Sequence, residues 1–499
     1  MALTAQELRG FFQSIARLPQ YFITPLCRSQ GKSPSPYLWY LKHGGLSRAK
    51  IVSRCPRVQP SIMSAIAQTL SSILGSDGVI EWDSLDSPTQ QRLRRAFPSA
   101  SLPHCIAYPS TQAQFASAIA AIAANRCALV PAGSLSKIDW GGVPSGVQVI
   151  LSTARLNRLI EHAVNDLTVT VEAGMSLASL QSILADAGQF LALDPAYGDR
   201  ATLGGIVATA DTGSWRQRYG GVRDQLLGVT FVRSDGELAK AGGRVVKNVA
   251  GYDLMKLFTG SYGTLGMICQ VTFRVYPQPE ASGTVMLSGE TGAIASASQT
   301  LLGSALTPTA ADLLSPGLVT QLGRAEEMGL LVRFQSVAES VQEQSARLMA
   351  VGETLGLKGT CHTEKDEADL WQGLRERMQP TGTEGAIGCK IGVRPTEAVA
   401  ALSKFAALSE GSGLGQIHLS SGLGWLRFGE GTVPESVLSM RQFCQSSGGF
   451  LSVMIAPISV KNQFDVWGYQ GNALEVMRKI KQQFDSDNIL SPNRFIGGI

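Results

Sequence analysis

Apolar residues recur at helical spacing between Ser110 and Asn125. Phe115, Ile119 and Ile122 fall on one face there, and Ser110 or Thr111 stands where a cap belongs. The flanking runs are of strand length: Ile106–Tyr108, Ala128–Val130, Val147–Leu151 and Thr168–Val171. Ser176–Ala187 returns to helical spacing, with Leu177, Leu180, Ile183 and Leu184 together and Gly188 placed to end it. From Asp194 to Pro277 the pattern breaks into short β-branched runs separated by glycines, with strands near Leu227–Arg233, Glu237–Ala239 and Met267–Val275. Beyond Pro277 and Pro279 strands alternate with helices. The strands are Thr284–Leu287, Gly329–Phe334, Ile387–Val393, Gln416–Leu419, Trp425–Phe428 and Phe450–Met454. The helices are Gly292–Leu302, Ala338–Leu355, Glu364–Met378, Thr396–Leu408 and Pro434–Gln445, with a last one over Asn472–Arg494. At the start of the chain Leu8, Phe11, Phe12, Ile15 and Leu18 repeat at helical spacing. A proline-dotted basic stretch follows, then a second helix over Ser61–Leu74.

These patterns predict an α+β protein in four parts. Residues 1–80 are a helical N-terminal extension that can serve as a docking face, and residues 81–279 are a β/α and glycine-rich domain. Residues 280–455 are an α+β cap facing substrate or partner, and residues 456–499 are a C-terminal segment returning to the second part.

Composition narrows the function. Charged residues are only 16% of the 499, hydrophobic residues 44%, and the net charge is +4. No basic run interleaved with aromatics is present, which argues against nucleic-acid binding. The eight cysteines lie far apart, which excludes the clustered spacing of zinc ribbons and most iron–sulfur ligand sets. The N-terminus lacks the pattern of a signal peptide, and the longest apolar stretch, Ala116 to Ala124, is too short to span a bilayer. The expectation is a cytoplasmic protein without a transmembrane segment, meeting a membrane only through partners.

The glycines carry the chemistry. Dense glycine marks backbone that takes positive φ or presses close to a ligand. The spacing is not that of a nicotinamide site: Gly260, Gly263 and Gly266 read G-x-x-G-x-x-G and precede a strand, and no Walker A sequence occurs. The loop Pro131, Ala132, Gly133, Ser134, Leu135, Ser136 and Lys137 leaves a strand with the makings of an anion nest for a pyrophosphate. In Asp199–Thr209, Gly204 and Gly205 give room and Thr202 and Thr209 offer hydroxyls. Lys247, Arg218 or Arg223 can balance phosphate charge or face a carboxylate substrate.

Three stretches carry a family resemblance: Gly133-Ser-Leu-Ser-Lys-Ile-Asp-Trp140, Arg218-Tyr-Gly-Gly-Val-Arg-Asp224 and Gly242-Gly-Arg-Val-Val-Lys-Asn-Val-Ala-Gly-Tyr-Asp253. With the Asp199–Thr209 run they resemble the vanillyl-alcohol-oxidase/p-cresol-methylhydroxylase (PCMH) type of FAD-linked oxidase. Within that family the chain is similar to the FAD-binding accessory subunits of bacterial glycolate oxidase. The resemblance is strong over 105–277, weak in the cap and absent from the first 80 residues.

The resemblance implies a PCMH-type two-subdomain FAD-binding domain and non-covalent FAD, since no histidine lies in 131–142. Pro131–Lys137 and Ala201–Gly205 would hold the pyrophosphate and ribityl chain, with Asp199, Ala208 and Thr209 beside them. Gly266 and Ile268 would line the adenine or flavin edge. Leu135 stands where many relatives have glycine and adds bulk beside the phosphates. The implied activity is hydride transfer from a 2-hydroxy acid, glycolate or D-lactate, to flavin N5, with electrons passing to a larger FAD subunit and an iron–sulfur subunit. A non-catalytic FAD-binding scaffold subunit is the alternative, favoured by the loss of the histidine–acid motif of catalytic relatives. A self-sufficient FAD oxidase of an unrelated alcohol is a third reading.

Candidate catalytic residues are Arg218, Lys247, Tyr252 and His418, with no metal site, because His418 is the one histidine left in its stretch. A lone histidine on a strand is more often structural than catalytic, so His418 also reads as a structural residue. Tyr252 and Asp253 either line the flavin or start a helix, and Arg494 either returns to the cofactor domain or is solvated.

Overall fold

The computed structural model describes residues 60–244, 252–324, 326–379 and 385–499. The stripe from Leu8 to Leu18 and the candidate Lys247 lie outside them. Residues 66–499 form one unit.

Its first sheet contains β1 (Val79–Glu81), β2 (Cys105–Ala107), β3 (Ala128–Ala132) and β4 (Val147–Ser152), in the order β1-β2-β4-β3. β2 and β3 run parallel to β4. Parallel strands need both faces covered, and alternation along them supplies two cores. Leu129, Val149 and Leu151 face the helix Gln112–Ala124 and its buried Phe115, Ile119 and Ile122. Ile106, Val130 and Ile150 face Leu93, Phe97 and Ile138. The Thr111 side chain caps the helix by accepting the N–H of Gln114. The helix α1 (Pro60–Leu74) buries Ile66, Leu70 and Leu74 in the first of these cores.

The second subdomain continues with β5 (Leu159–Ala163), β6 (Thr168–Glu172), β7 (Gln189–Phe190), β8 (Leu226–Val232), β9 (Leu238–Gly242), β10 (Met267–Arg274) and β11 (Tyr276–Pro277). Five of them form an antiparallel sheet, β5-β6-β10-β8-β9, while β7 pairs with β11. Ser176 caps the helix Leu177–Ala185. Leu203–Thr209, which the glycine pattern suggests is irregular, is a helix. Its first turn is fixed by tertiary bonds, Leu203 N–H to Met175 O at 3.0 Å and Gly204 N–H to Ala173 O at 2.8 Å. A Cβ on Gly204 would stand 2.8 Å from that of Ala173, so this glycine answers to protein packing.

The cap is one eight-stranded antiparallel sheet. Its strands are β12 (Ala281–Gly289), β13 (Ala310–Leu314), β14 (Met328–Ser336), β15 (Lys358–Thr363), β16 (Ile387–Gly392), β17 (Leu414–His418), β18 (Leu423–Phe428) and β19 (Phe450–Ile455). The order is β15-β12-β14-β13-β17-β18-β16-β19. One face takes helices: Gly352 of Ala338–Thr354 packs on Leu287, and Leu402 of Ala398–Leu408 packs on Gly415. The other face is mixed: Met286, Leu314 and Leu331 pack under the helices Pro316–Gln321 and Glu364–Met378, and a polar patch lies beside them. Lys390, Trp425 and Gln416 stand in register across β16, β18 and β17, and His418 pairs with Asp312 of β13.

The last helix is Leu474–Phe484, shorter than its sequence pattern. Asp485 ends it by accepting the N–H groups of Ile489 and Leu490, and Leu490 then bridges Leu129 at the edge of β3. Buried Lys481 ties this turn down, with its ammonium on Asp485, Thr264 O and Leu490 O. Among the described residues no helix is long and apolar enough to cross a membrane. Removing one partner of a buried ion pair leaves the other charge desolvated. Lys481→Met is therefore expected to cost about 3 kcal/mol, read as a lower urea midpoint.

Candidate functional site

The loop after β3 has two unlike sides. Its carbonyl oxygens are occupied: Ala132 O accepts Thr153 N–H at 2.9 Å, Gly133 O accepts Ser152 Oγ at 2.9 Å, and Leu135 O accepts Ile138 N–H at 3.3 Å. The N–H groups of Gly133 through Lys137 donate to no acceptor among the described residues. Buried Ser134 Oγ also lacks a partner. Leu135 takes a left-handed φ of 61°, the kind of turn that gathers successive N–H groups into an anion nest. Its side chain packs against the Leu93–Phe97–Ile138 core, so the bulk expected beside the phosphates points elsewhere. Gly133 is pressed on the helix Leu203–Thr209: a Cβ there would meet Thr202 Oγ1 at 2.0 Å. The two glycine-bearing segments singled out in the sequence thus meet.

Beside this nest lies a buried set of charges. Lys137 Nζ pairs with Asp211 at 2.6 Å. Lys390 reaches across from the cap to Thr209 O at 3.3 Å, with its ammonium near the rings of Trp140 and Trp425. Burial lowers its pKa to about 8, with Asp211 opposing the shift. The two tryptophans meet with ring centroids 4.8 Å apart, and the buried Trp140 Nε1 has no acceptor among the described residues.

A second polar group links cap to domain. His418 Nδ1 and Asp312 Oδ1 are 2.6 Å apart, and both residues are buried. Gln416 Nε2 donates to Asp312 Oδ2 at 3.0 Å and contacts Ser214 Oγ at 3.1 Å. Asp194 in turn accepts the N–H of Ser214 at 2.9 Å and of Trp215 at 3.1 Å. Burial raises its carboxyl to about 6, although the Trp215 N–H and His418 pull the other way. The folded chain holds this proton up to about pH 6, whereas the unfolded chain releases it near pH 4. Stability from this group is complete below about pH 4 and is lost as pH rises through about 6. Asp194→Asn stays neutral throughout. Its stability relative to the parent should rise by about 2 kcal/mol between pH 4 and 6.5, read from urea curves at each pH.

The remaining sequence candidates separate. Pro131 packs under Gly263, Ala208 O accepts Tyr262 N–H at 2.8 Å, and Thr209 Oγ1 donates to Gly205 O at 2.8 Å. Ala201 is buried, and its carbonyl accepts Leu177 N–H. Ala132 and Ser136 are half-buried in the loop itself. Asp199 and Arg218 are exposed. Tyr252 is 46% exposed, just ahead of the helix Leu254–Phe258 that buries Met255 and Phe258. Ile268 lies in β10, and Gly266 is closed in by Val232 O, Phe231 and Phe258, so its missing side chain answers to packing. Sequence reasoning missed Asp211, Lys390, Asp312 and Asp194. Asp211, directly after the Ala201–Ala210 run, carried the one available signal, an acid inside a glycine-rich cradle.

The comparisons follow this geometry. Residues 103–242 match the family model of an FAD binding domain. Glycolate oxidase subunit GlcD of Bacillus subtilis is 25% identical over 301 residues, 56% of this chain and 63% of that protein. Glycolate oxidase subunit GlcE of Escherichia coli is 37% identical over 159 residues, 32% of this chain and 45% of that protein. The matches thus span less than two thirds of either relative. Among solved structures, p-cresol methylhydroxylase superposes with a TM-score of 0.70 at 16% identity, covering 88% of this chain and 97% of that one. The unbonded N–H groups, the orphaned Ser134 hydroxyl and the close Gly133–Thr202 approach fit the diphosphate of FAD. Residues 103–242 are thus an FAD binding domain, the fold is of the PCMH type, and the cofactor is FAD.

Proposed function

We propose that the chain is an FAD-dependent oxidoreductase component that oxidises a small 2-hydroxy acid, glycolate or D-lactate. It would act in the cytoplasm, passing electrons to a larger FAD subunit and an iron–sulfur subunit. The observation that carries this reading is the polar patch of the cap sheet. It presents one buried base, His418, and one half-buried cation, Lys390, toward the FAD-binding domain. His418 lies two residues along β17 from the Lys390–Trp425–Gln416 row. By strand spacing that places the Lys390 and His418 Cα atoms about 12 Å apart.

Each residue then has a task. Asp312 accepts the Nδ1–H hydrogen bond of His418 and so leaves Nε2, which has no partner among the described residues, with its lone pair available. Nε2 is placed to accept the hydroxyl proton of the substrate. Half-buried Lys390 supplies positive charge for the carboxylate, and desolvation of its ammonium strengthens that pairing. Bound FAD supplies the acceptor for the hydride that leaves the carbinol carbon. With FAD bound, the substrate would give its hydroxyl proton to His418 and, once its hydride is accepted, would depart as the 2-oxo acid. The similarity to glycolate oxidase subunits and D-lactate dehydrogenases supports this substrate class.

One observation favours the scaffold reading. Trp140 on Trp425, with Lys390 already bonded to Thr209 O, closes the seam where a substrate would sit. Anaerobic mixing with glycolate or D-lactate separates the two. Bleaching of the flavin by the isolated protein, slowed about 100-fold or more in His418→Asn, supports catalysis. An isolated protein that never bleaches, yet restores activity to the larger flavin subunit, supports the scaffold.

A further inference from the structure

The phosphate loop is held from behind by two cations of the C-terminal part of the chain. Five successive carbonyls, Lys137 to Gly141, each accept from one of them. Arg494 Nη2 donates to Lys137 O at 3.0 Å and Ile138 O at 3.1 Å, and its Nε to Trp140 O at 3.4 Å. Lys461 Nζ donates to Asp139 O, to Gly141 O at 2.8 Å and to Met454 O at 3.1 Å. Arg494 is 5% exposed and Lys461 6%. Among the described residues neither forms a salt bridge with a carboxylate.

Burying an ammonium or guanidinium with only carbonyl dipoles as partners costs free energy. That cost is offset when an anion binds nearby. The stretch they hold follows directly on Gly133–Lys137, whose N–H groups donate to no acceptor among the described residues, while the N–H groups of Ile138, Trp140 and Gly141 are bonded.

We infer that Arg494 and Lys461 are positioning residues for the FAD diphosphate. They anchor the turn 137–141 that follows the loop, and so fix the end of the segment whose N–H groups are free. Their charge, bonded to no carboxylate and opposed only through space by Asp139, adds an attraction through the loop. This rests on FAD as the cofactor, and it predicts a loss confined to phosphate-bearing ligands.

The test compares FAD, ADP and riboflavin binding to flavin-free protein. Arg494→Gln and Lys461→Gln keep a donor for the carbonyls and remove the charge. Each should weaken FAD and ADP about tenfold, the loss of roughly one charge-assisted hydrogen bond, and leave riboflavin within about twofold. If either variant fails to fold, Arg494→Lys carries the test. It keeps the charge but cannot span three carbonyls, so a smaller selective loss of about threefold is expected. Unchanged FAD affinity, or an equal loss for riboflavin, overturns the inference. Parent protein that binds riboflavin and FAD equally well would instead overturn the reading of the loop as a phosphate site.

Discussion

Charge buried where the cap and the FAD-binding domain meet is the constraint on which the rest of this structure depends. Lys137, Lys390, Lys461 and Arg494 are all desolvated there, and each must find oxygen within reach. Lys137 takes Asp211, Lys390 takes Thr209 O, and Lys461 and Arg494 share the carbonyls of 137–141. These bonds join segments far apart in sequence. The same set orders the phosphate loop, docks the chain end and registers the cap sheet on the cofactor domain.

In the proposed function, cofactor chemistry and substrate chemistry are built from different material. The cofactor side is backbone: free N–H groups, a left-handed residue and a glycine in contact with Thr202. The substrate side is side chains on a sheet face, where Asp312, Gln416 and Ser214 lead from His418 to Asp194 without a break. Two carboxylates and one imidazole share that path. A proton on Asp194 therefore bears on how the cap seats against the domain as well as on His418.

Local signals were legible where they were complete. The stripe of Phe115, Ile119 and Ile122 with its Thr111 cap needs no tertiary context, and the helix lies where that stripe places it. Glu364–Met378 likewise coincides with its pattern. Leu203–Thr209 was not legible as a helix, because two glycines and β-branched residues argue against one. Bonds from Met175 and Ala173 override that preference. β13 is buried at every position and shows no alternation, and β15 is a polar edge strand, so neither announces itself. The Gly133 loop was legible as a candidate cradle because backbone demands are written in glycine, whereas Gly204 and Gly266 of the longer run answer to packing. Lys390, Asp312 and Asp211 became visible only when distant strands were brought together, since an isolated lysine or aspartate carries no local pattern.

The account turns on FAD lying in the cradle between the 133–137 loop and Thr202. Gly133→Ala tests this most directly, because its Cβ would fall 2.0 Å from Thr202 Oγ1 and must push loop and helix apart. The measurement is FAD bound per folded chain by absorbance, with circular dichroism as the check on folding. The account predicts about one FAD per parent chain and a loss of affinity of at least about tenfold in the variant. A folded variant that retains FAD with parental affinity would contradict it.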